Sequence, residues 1–249
     1  MYLYETHLHT LEGSACGEVA AADYIDYMIV KGFTGMVVTD HFFNGNCAVD
    51  PHLPWKEKVE LYCDGWRKAH AAAQGHEFDV IFGIEFNFNG DEYLIYGIDG
   101  EWLFDNEDIM GLDRRGVHKK INEAGGIMVQ AHPFRERKYL KDIRLTPDIC
   151  DAVEVYNASN DDNMNALAYE YAKKLGVPMI GGSDIHYPRD VLGGILLPGR
   201  IKDTHELAAA IRAGQTVPAK IERGIVTRID EVQDLMVSVK EPTAPVYYM

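Results

Sequence analysis

Four short apolar runs, far apart in the chain, each end in histidine or aspartate. Side chains alternate between the two faces of a strand, so the i, i+2 spacing of His7 with His9, and of Asp184 with His186, places each pair on one face. A lone histidine after an apolar run is more often a satisfied structural residue, but several unpaired polar groups buried together are costly without a metal ion or dense hydrogen bonding. The four segments therefore predict a metal site at strand ends. They read E-T-H-L-H-T, V-V-T-D-H, V-Q-A-H-P-F and G-G-S-D-I-H-Y-P.

Runs of β-prone residues alternate with helical periodicity along most of the chain. This alternation is typical of parallel strands joined by crossover helices, in an α/β barrel or a doubly wound sheet. The predicted strands span 2–6, 33–39, 78–88, 93–98, 126–131, 152–156, 178–182 and 194–197. The predicted helices span 19–30, 56–73, 114–124, 162–175 and 205–213.

The positions of the polar residues favour the barrel. They follow too many strands for the single switch point of an open sheet, whereas barrel enzymes collect their chemistry at the C-terminal ends of the strands. With 249 residues, 47% of them hydrophobic, the chain suits one domain spanning 1–249. The residues at or just past predicted strand ends are His7, His9, His41, Glu85, His132, Asn157, Asp184 and His186.

The charge balance limits the partners that the chain can hold. It has 24 Lys and Arg against 39 Asp and Glu, a formal charge of −15, which argues against nucleic-acid binding by a basic surface. A small anionic substrate remains compatible, because bound divalent cations invert the local field. The start of the chain lacks the pattern of a secretory signal, and no run has transmembrane length, so we expect a cytoplasmic protein without a membrane partner. The four cysteines are too few and too irregular for a disulfide framework, and free thiols are expected.

Mixed sets of imidazole and carboxylate ligands are typical of catalytic sites for Zn, Mn or Fe(II). A carboxylate between two cations can bridge them, and water shared by the two metals becomes hydroxide near neutral pH, ready for in-line attack on phosphorus. Glu85, in F-G-I-E-F-N, is the best candidate for the bridge. It ends an otherwise apolar strand, where a lone carboxylate would be costly.

The ordered set H-L-H-T, T-D-H, G-I-E, A-H-P and S-D-I-H resembles the PHP family, named for polymerase and histidinol phosphatase. The resemblance covers roughly the first three quarters of the chain. It implies a distorted (β/α)7 barrel, a site for two or three metal ions and, as in stand-alone members, phosphoesterase activity. It also implies a distribution of roles: His7, His9, Glu85 and Asp184 on one ion, Glu85 and His132 on a second, His41 and His186 on a third, and Asp40 as a neighbouring orienting carboxylate or proton acceptor.

The chain departs from the family pattern at two places. Ala15 stands where the family often has an aspartate that binds the third ion, and Glu12 or Cys16 could take its place. The family also often has a histidine after the Glu85 motif. Here Asp91, Glu92 or water could serve the second ion.

Two further residues are candidates for contact with substrate. Arg135 lies three residues beyond His132, close enough to meet a phosphate with its two-pronged guanidinium, although an ordinary loop salt bridge is an equal alternative. Asn157 could bond substrate or a metal-bound water, and Glu154 could be an interior carboxylate or a partner behind a ligand. The irregular stretch 42–55 is a candidate lid or a surface connection. Five histidines are predicted to lie outside the site: His52, His70, His76, His118 and His205.

The sequence as a whole predicts a metal-dependent phosphoesterase with two or three divalent Zn, Mn or Fe ions. Its expected substrate is a small phosphorylated metabolite, such as a histidinol-phosphate-like ester or a nucleotide phosphate, cleaved by metal-activated hydroxide without a covalent intermediate. Asp40 and Arg135 are the predicted catalytic residues. Two alternatives stay open. One is a binuclear amidohydrolase-type C–N hydrolase, which a lysine ending a middle strand would favour; the other is a degenerate PHP domain that keeps metal for structure or regulation.

Overall fold

The computed structural model describes residues 1–249, which form thirteen strands and seven α-helices. The strands are β1 (Tyr2–Leu8), β2 (Gly35–Val38), β3 (Asp79–Phe82), β4 (Ile84–Phe88), β5 (Asp91–Tyr96), β6 (Ile127–Gln130), β7 (Ile143–Leu145), β8 (Ala152–Asn157), β9 (Met179–Gly182), β10 (Val191–Leu197), β11 (Val217–Glu222), β12 (Ile225–Arg228) and β13 (Val246–Tyr248). The helices are α1 (Tyr24–Val30), α2 (Trp55–Tyr62), α3 (Asp64–Ala72), α4 (Gly100–Phe104), α5 (Arg114–Glu123), α6 (Asp162–Leu175) and α7 (Thr204–Arg212).

Aspartate caps start the longer helices. The side chain of Asp161 accepts a 2.8 Å hydrogen bond from Met164 N at the start of α6, and Asp203 accepts one of the same length from Glu206 N in α7. Such caps satisfy amide groups that lack a partner inside the helix. Helix α6 ends at Gly176, whose φ of 70° is the left-handed conformation that glycine adopts without strain. None of the helices combines the length and apolar character needed to cross a membrane.

The strands form two main sheets and a separate pair. One sheet has the order β12-β11-β10-β1-β2-β3, the other β4-β5-β6-β8-β9, and β13 pairs with β7. Both main sheets are mixed, which corrects the expectation of parallel strands: β5 runs antiparallel to β4 and β6, and β10 runs antiparallel to β1. A tight turn at Asn89 and Gly90, with φ of 55° and 105°, folds β5 back onto β4. Asn-Gly is the dipeptide that such hairpin turns favour.

The two main sheets meet at isolated bridges. His41 bridges to Glu85 at one junction, and Leu8 bridges to Ile185 at the other. The backbone nitrogen of His9 donates a 2.9 Å hydrogen bond to Ile185 O at the second junction. No continuous ladder closes the ring, so the structure is a mixed α/β fold and the predicted closed barrel is not confirmed. The junctions nevertheless bring the ends of β1, β2 and β9 and the start of β4 together.

Several predicted elements are divided. The predicted strand 78–88 splits at Gly83 into β3 and β4, which belong to different sheets. The predicted helix 56–73 splits at Cys63 into α2 and α3, and the predicted helix 19–30 is shortened to α1. The core between the sheets is apolar and includes Tyr4 from β1 and Ile180 from β9. All four cysteines are free thiols.

Candidate metal centre

The structure brings all seven predicted ligands into one cluster at the strand ends. His7 lies in β1 and Glu85 in β4, while the others follow β1, β2, β6 and β9 within a few residues. Six of the seven are buried, and His186 is half-buried. The seven are His7, His9, His41, Glu85, His132, Asp184 and His186.

Glu85 lies at the middle of the cluster, between four imidazoles. Its Oε1 lies 3.1 Å from Nε2 of His7 and 3.2 Å from Nε2 of His132. Its Oε2 lies 2.7 Å from Nδ1 of His41 and 3.4 Å from Nε2 of His9. Each oxygen of the carboxylate therefore faces a different pair of histidines. This is the arrangement that a bridging ligand needs.

Asp184 occupies the second acidic position of the cluster. Its Oδ1 lies 3.2 Å from Nε2 of His9 and 3.6 Å from Nε2 of His7. Asp184 has a φ of 52°, and His132 has a φ of 29°. Both values lie in the left-handed region, which is strained for residues with a side chain and recurs at functional sites.

The donor atoms of the cluster fit divalent metal ions. Four buried atoms have no hydrogen bond of good geometry, although two of them, Nδ1 of His41 and Oε2 of Glu85, lie 2.7 Å apart as an ion pair; the other two are Nε2 of His7 and Nε2 of His9. Buried polar atoms without partners are rare because each loses hydration without compensation, and an ion coordinated by them would supply it. Imidazole and carboxylate together suit zinc, manganese and iron. Four groups have donor atoms within 4.8 Å of one another: His9, His41 and His186; His7, Glu85 and His132; His7, His9 and Asp184; and His41, Glu85 and Glu92.

Glu154 lies directly behind the cluster. Its Oε1 is 3.0 Å from Nδ1 of His7, and its Oε2 accepts hydrogen bonds of 2.9 Å from the backbone nitrogen of His132 and from Nδ2 of Asn157. A carboxylate on the far nitrogen of a ligand histidine fixes its tautomer and turns its other nitrogen toward the ion. The structure therefore favours Glu154 as the partner behind a ligand.

Asp40 reaches the cluster through Ser14. Its carboxylate accepts hydrogen bonds from Thr10 N at 2.6 Å, from Thr10 Oγ1 at 2.7 Å and from Ser14 Oγ at 2.7 Å. Ser14 Oγ in turn lies 3.0 Å from Nδ1 of His9. Burial raises the pKa of Asp40 to about 6, although these hydrogen bonds oppose the shift. With its oxygens engaged in this way, Asp40 is better placed to orient His9 than to accept a proton from substrate.

The four additional ligand candidates separate into two pairs. Glu92 faces the cluster, with Oε2 3.6 Å from Nε2 of His132, whereas its neighbour Asp91 points away and pairs with Arg114 and Arg144. Alternation along β5 accounts for this difference. Glu12 also lies outside the cluster, because its carboxylate accepts a 3.0 Å hydrogen bond from Ala21 N.

Cys16, the last of the four, contacts the cluster. Its Sγ lies 3.1 Å from Nε2 of His186. Burial opposes ionisation of the thiol, but hydrogen bonds with His186 and His41 outweigh it and lower the pKa of Cys16 to about 6. A thiolate near neutral pH is a ligand that favours zinc or cobalt over manganese.

We expect the cobalt-loaded protein to show thiolate-to-cobalt charge-transfer absorption in the near ultraviolet, because Cys16 can act as a ligand beside His186. The band should be lost in Cys16→Ser and kept in Cys47→Ser, which removes another half-buried thiol. A wild-type protein that binds cobalt without this absorption would exclude Cys16 as a ligand.

The cluster carries protons when no ion is bound. Burial opposes protonation of His7, but Glu154, Glu85 and Asp184 outweigh it and raise the pKa of His7 well above its usual range. Burial likewise opposes protonation of His41, but Glu85 outweighs it and raises the pKa of His41 to about 11. Protonation of His41 thus stabilises the metal-free fold fully below pH 6.5, and this contribution is lost as the pH rises through about 11.

By contrast, His9 and Glu85 carry no proton in the metal-free cluster. Burial and the nearby His41 lower the pKa of His9 to about 3, so its ring is neutral and ready to bind an ion. Burial raises the pKa of Glu85, but His41 and His7 outweigh it and hold that pKa well below the usual value. The carboxylate at the centre therefore stays ionised across the physiological range.

Metal binding should release protons at pH 7, because ligand imidazoles must be neutral while His7 and His41 are protonated in the metal-free protein. The measured binding enthalpy should vary with the ionisation enthalpy of the buffer, and the apparent affinity should rise with pH. Calorimetric titration of zinc in two buffers tests this. Equal enthalpies in both buffers would contradict it.

Arg135 lies beside the cluster as a largely buried cation, with 10% of its side chain exposed. Its Nη2 lies 2.5 Å from Oδ2 of Asp184 and donates a 3.1 Å hydrogen bond to Oδ1 of Asn157, while its Nε donates to Oδ1 of Asn160 at 3.0 Å. Asn157 thus holds both Arg135 and Glu154 in place. Arg135 also lines a cavity of about 80 Å³, together with Asn87, Glu92, His132, Tyr139 and Arg144.

The remaining predictions concern the stretch 42–55 and the histidines outside the cluster. The stretch 42–55 is packed, since Phe42, Val49 and Trp55 are buried in an apolar cluster. Ser14 was not predicted from the sequence, because a serine in a Gly-rich turn carries no signal of its own. None of the five histidines predicted to lie outside the site, His52, His70, His76, His118 and His205, belongs to the four groups that could hold a metal ion.

Comparison with known proteins finds one family match and three similar solved structures. Residues 163–216 match a family described as PHP-associated. No curated protein gives a significant match.

Three solved structures resemble the chain. A two-domain protein from Bacteroides vulgatus that contains a predicted PHP-like metal-dependent phosphoesterase has a TM-score of 0.67 and 16% identity, over 94% of this chain and 69% of that one. A candidate metal-dependent phosphoesterase from Bifidobacterium adolescentis has a TM-score of 0.54 and 14% identity, over 85% and 96% of the two chains. An amidohydrolase from Chromobacterium violaceum, with bound sulfate and no metal, has a TM-score of 0.50 and 15% identity, over 74% and 88%. At these identities the likeness concerns the fold.

Proposed function

We propose that this chain, a PHP-domain protein by its family match and its fold, is a metal-dependent phosphoesterase that acts on a small phosphorylated metabolite. The observation that carries the proposal is Glu85, whose two oxygens face four imidazoles at 2.7 to 3.4 Å. The largely buried guanidinium of Arg135 lies at the edge of the same cluster. The solved structures described as metal-dependent phosphoesterases support the proposal through their fold.

The proposed centre holds two or three Zn, Mn or Fe ions. When bound, such ions supply Lewis acidity and make water nucleophilic near neutral pH. The two isolated bridges between the sheets support a distorted (β/α)7 barrel arrangement around this centre. The proposed ligands are His7, His9, Glu85 and Asp184 for the first ion, Glu85 and His132 with Glu92 for the second, and His41 and His186 with Cys16 for the third.

The protein's own residues orient the site and bind the substrate. Glu154 orients His7 directly, and Asp40 orients His9 through Ser14. Nη1 of Arg135 is the donor placed to meet a phosphoryl oxygen, because Nε and Nη2 are engaged by Asn160, Asn157 and Asp184. Ser14 is not free to act as a nucleophile, because its hydroxyl donates to Asp40 and accepts from the backbone nitrogen of His41 at 3.0 Å.

A C–N hydrolase is the second candidate, favoured by the likeness to an amidohydrolase. Two-metal C–N hydrolases of this type use a lysine between the ions, whereas the two central acids here, Glu85 and Asp184, pair with histidines and Arg135 and with no lysine. The phosphoesterase is therefore the better supported function.

The function is tested by loading the protein with Zn, Mn or Fe(II) and measuring release of inorganic phosphate from a panel of phosphorylated metabolites. Cyclic amides in the same panel test for C–N hydrolase activity. We expect turnover of at least one phosphate ester. Full metal content without turnover of any compound would instead support a non-catalytic domain, and turnover of amides alone would support the alternative enzyme.

Arg135→Ala should raise KM about tenfold or more while the metals stay bound, because a charged hydrogen bond lost equally from substrate and transition state removes uniform binding. Lys138→Ala is the matched control, since it removes an exposed cation from the same loop. Steady-state kinetics and metal analysis of both variants test this. A large fall in kcat at unchanged KM would contradict the role in binding.

A further inference from the structure

The last residues of the chain form a strand that belongs to neither main sheet. β13 pairs in parallel with β7, and this pair stands alone. Ile143 N donates a 2.8 Å hydrogen bond to Pro245 O, and Met249 N donates one of the same length to Leu145 O. Because backbone groups alternate along a strand, Tyr247 also faces β7 with its N–H and C=O.

β7 continues the loop that carries Arg135. This loop, residues 133–142, runs from the end of β6 to β7 and provides one wall of the cavity beside the metal cluster. The C-terminal segment, residues 243–249, contacts this loop as well as β7. Thr243 N donates a 2.9 Å hydrogen bond to Oε1 of Glu136, and Thr243 Oγ1 donates to Oε2 of the same residue. Glu136, the neighbour of Arg135 in sequence, is thus hydrogen-bonded to the C-terminal segment.

The tail is held by directional bonds more than by buried area. Lys240 N donates a 2.8 Å hydrogen bond to Oδ1 of Asn163 on α6, and Val246 packs on the apolar cluster that contains Phe134. By contrast, Tyr247 is 53% exposed and Tyr248 is 66% exposed. A segment with so little apolar burial opens at a lower free energy than the core.

We propose that residues 243–249 form a positioning strap for the Arg135 loop, and that the anion site beside the metal cluster is complete only when the strap is docked. Glu136 and β7 are the two points at which the strap acts. The proposal rests on the proposed function only in taking the bound anion to be the phosphate of the substrate. The strap itself acts through the loop backbone and touches no reacting atom.

Tyr247→Pro tests the strap, because proline removes an N–H that faces β7 and disfavours the ladder. Tyr247→Ala is the matched control, since it loses the same exposed side chain and keeps the backbone bonds. Thr243→Val is a second, milder variant that removes the hydroxyl donor to Glu136. The readouts are trypsin cleavage after Arg137, Lys138 or Lys141 in the loop, and the Kd of inorganic phosphate for the zinc-loaded protein.

We expect Tyr247→Pro to speed cleavage in the loop and to weaken phosphate binding about tenfold, the effect of one charged hydrogen bond, with zinc content unchanged. Thr243→Val should shift both readouts in the same direction, and Tyr247→Ala neither. Faster cleavage with unchanged phosphate Kd, or no change in either readout, would overturn the proposal. Neither readout needs turnover, so a wild-type protein that hydrolyses no phosphate ester would reject the proposed function and leave the strap to be judged by these results.

Discussion

Glu85→Gln should lose most of its bound metal and at least about 100-fold of its phosphoesterase activity. Mutation of a residue that only hydrogen-bonds a metal ligand already lowers metal affinity or activity by about 10- to 100-fold, and loss of a bridging ligand should cost more. The amide keeps the shape of the side chain but lacks the charge that both ions would share. Glutamine also brings an N–H₂ group, which cannot ligate, against imidazoles that face both carboxylate oxygens.

Elemental analysis and turnover of the best substrate measure this effect. Glu92→Gln is the comparison, since Glu92 lies farther from the imidazoles, at 3.6 and 3.8 Å, and should affect one ion only. Circular dichroism should show both variants folded. Near-normal turnover and full metal content in Glu85→Gln would refute the bridge and the two-metal mechanism with it.

Glu154→Gln should weaken metal binding by about 10- to 100-fold without unfolding the protein, as expected for a carboxylate that orients a ligand histidine. The amide oxygen should stay with the two N–H donors of His132 and Asn157, so the NH₂ group would face Nδ1 of His7 and disfavour the tautomer with a proton there. Activity at limiting metal should fall in proportion, and excess metal should restore part of it.

Competition with a chelating indicator measures the affinity of Glu154→Gln. Asp151→Asn is the matched control, because Asp151 makes a similar contact, 3.1 Å from Nε2 of His118, outside the cluster. An affinity equal to that of the wild type would mean that His7 needs no partner behind it, and would return Glu154 to a purely structural role.

The sequence predicts the composition of the cluster better than the path of the chain around it. The spacing of His7 and His9 and the isolated carboxylate of Glu85 were sufficient to place these residues together, because strand ends and burial leave few alternatives. The direction of β5 was predicted wrongly, because the alternation of strands and helices favoured parallel pairing, whereas the Asn89–Gly90 dipeptide between the two runs is a signal for the antiparallel hairpin that the structure shows.

Other features depend on contacts that no local pattern encodes. β13 pairs with β7 across about a hundred residues of sequence, and three residues are too few for a periodic signal. Glu154 could not be assigned from alternation alone, since its role follows from His7, on another strand. The contact of Arg135 with Asp184 likewise appears only when the segments after β6 and β9, two strands separated by β8 in the sheet, are placed together in space.

The left-handed backbone at His132 and Asp184 predicts which substitutions selection for thermal stability would favour at these two positions. Each such position costs about 1 to 3 kcal/mol, and glycine adopts the same conformation freely. In a library screened only for heat resistance we therefore expect glycine or asparagine to accumulate at position 132 first, since histidine tolerates this conformation less well than aspartate does. Thermostable descendants obtained in this way would have lost a metal ligand in exchange for a less strained backbone, and only a screen that also demands metal binding would keep the imidazole.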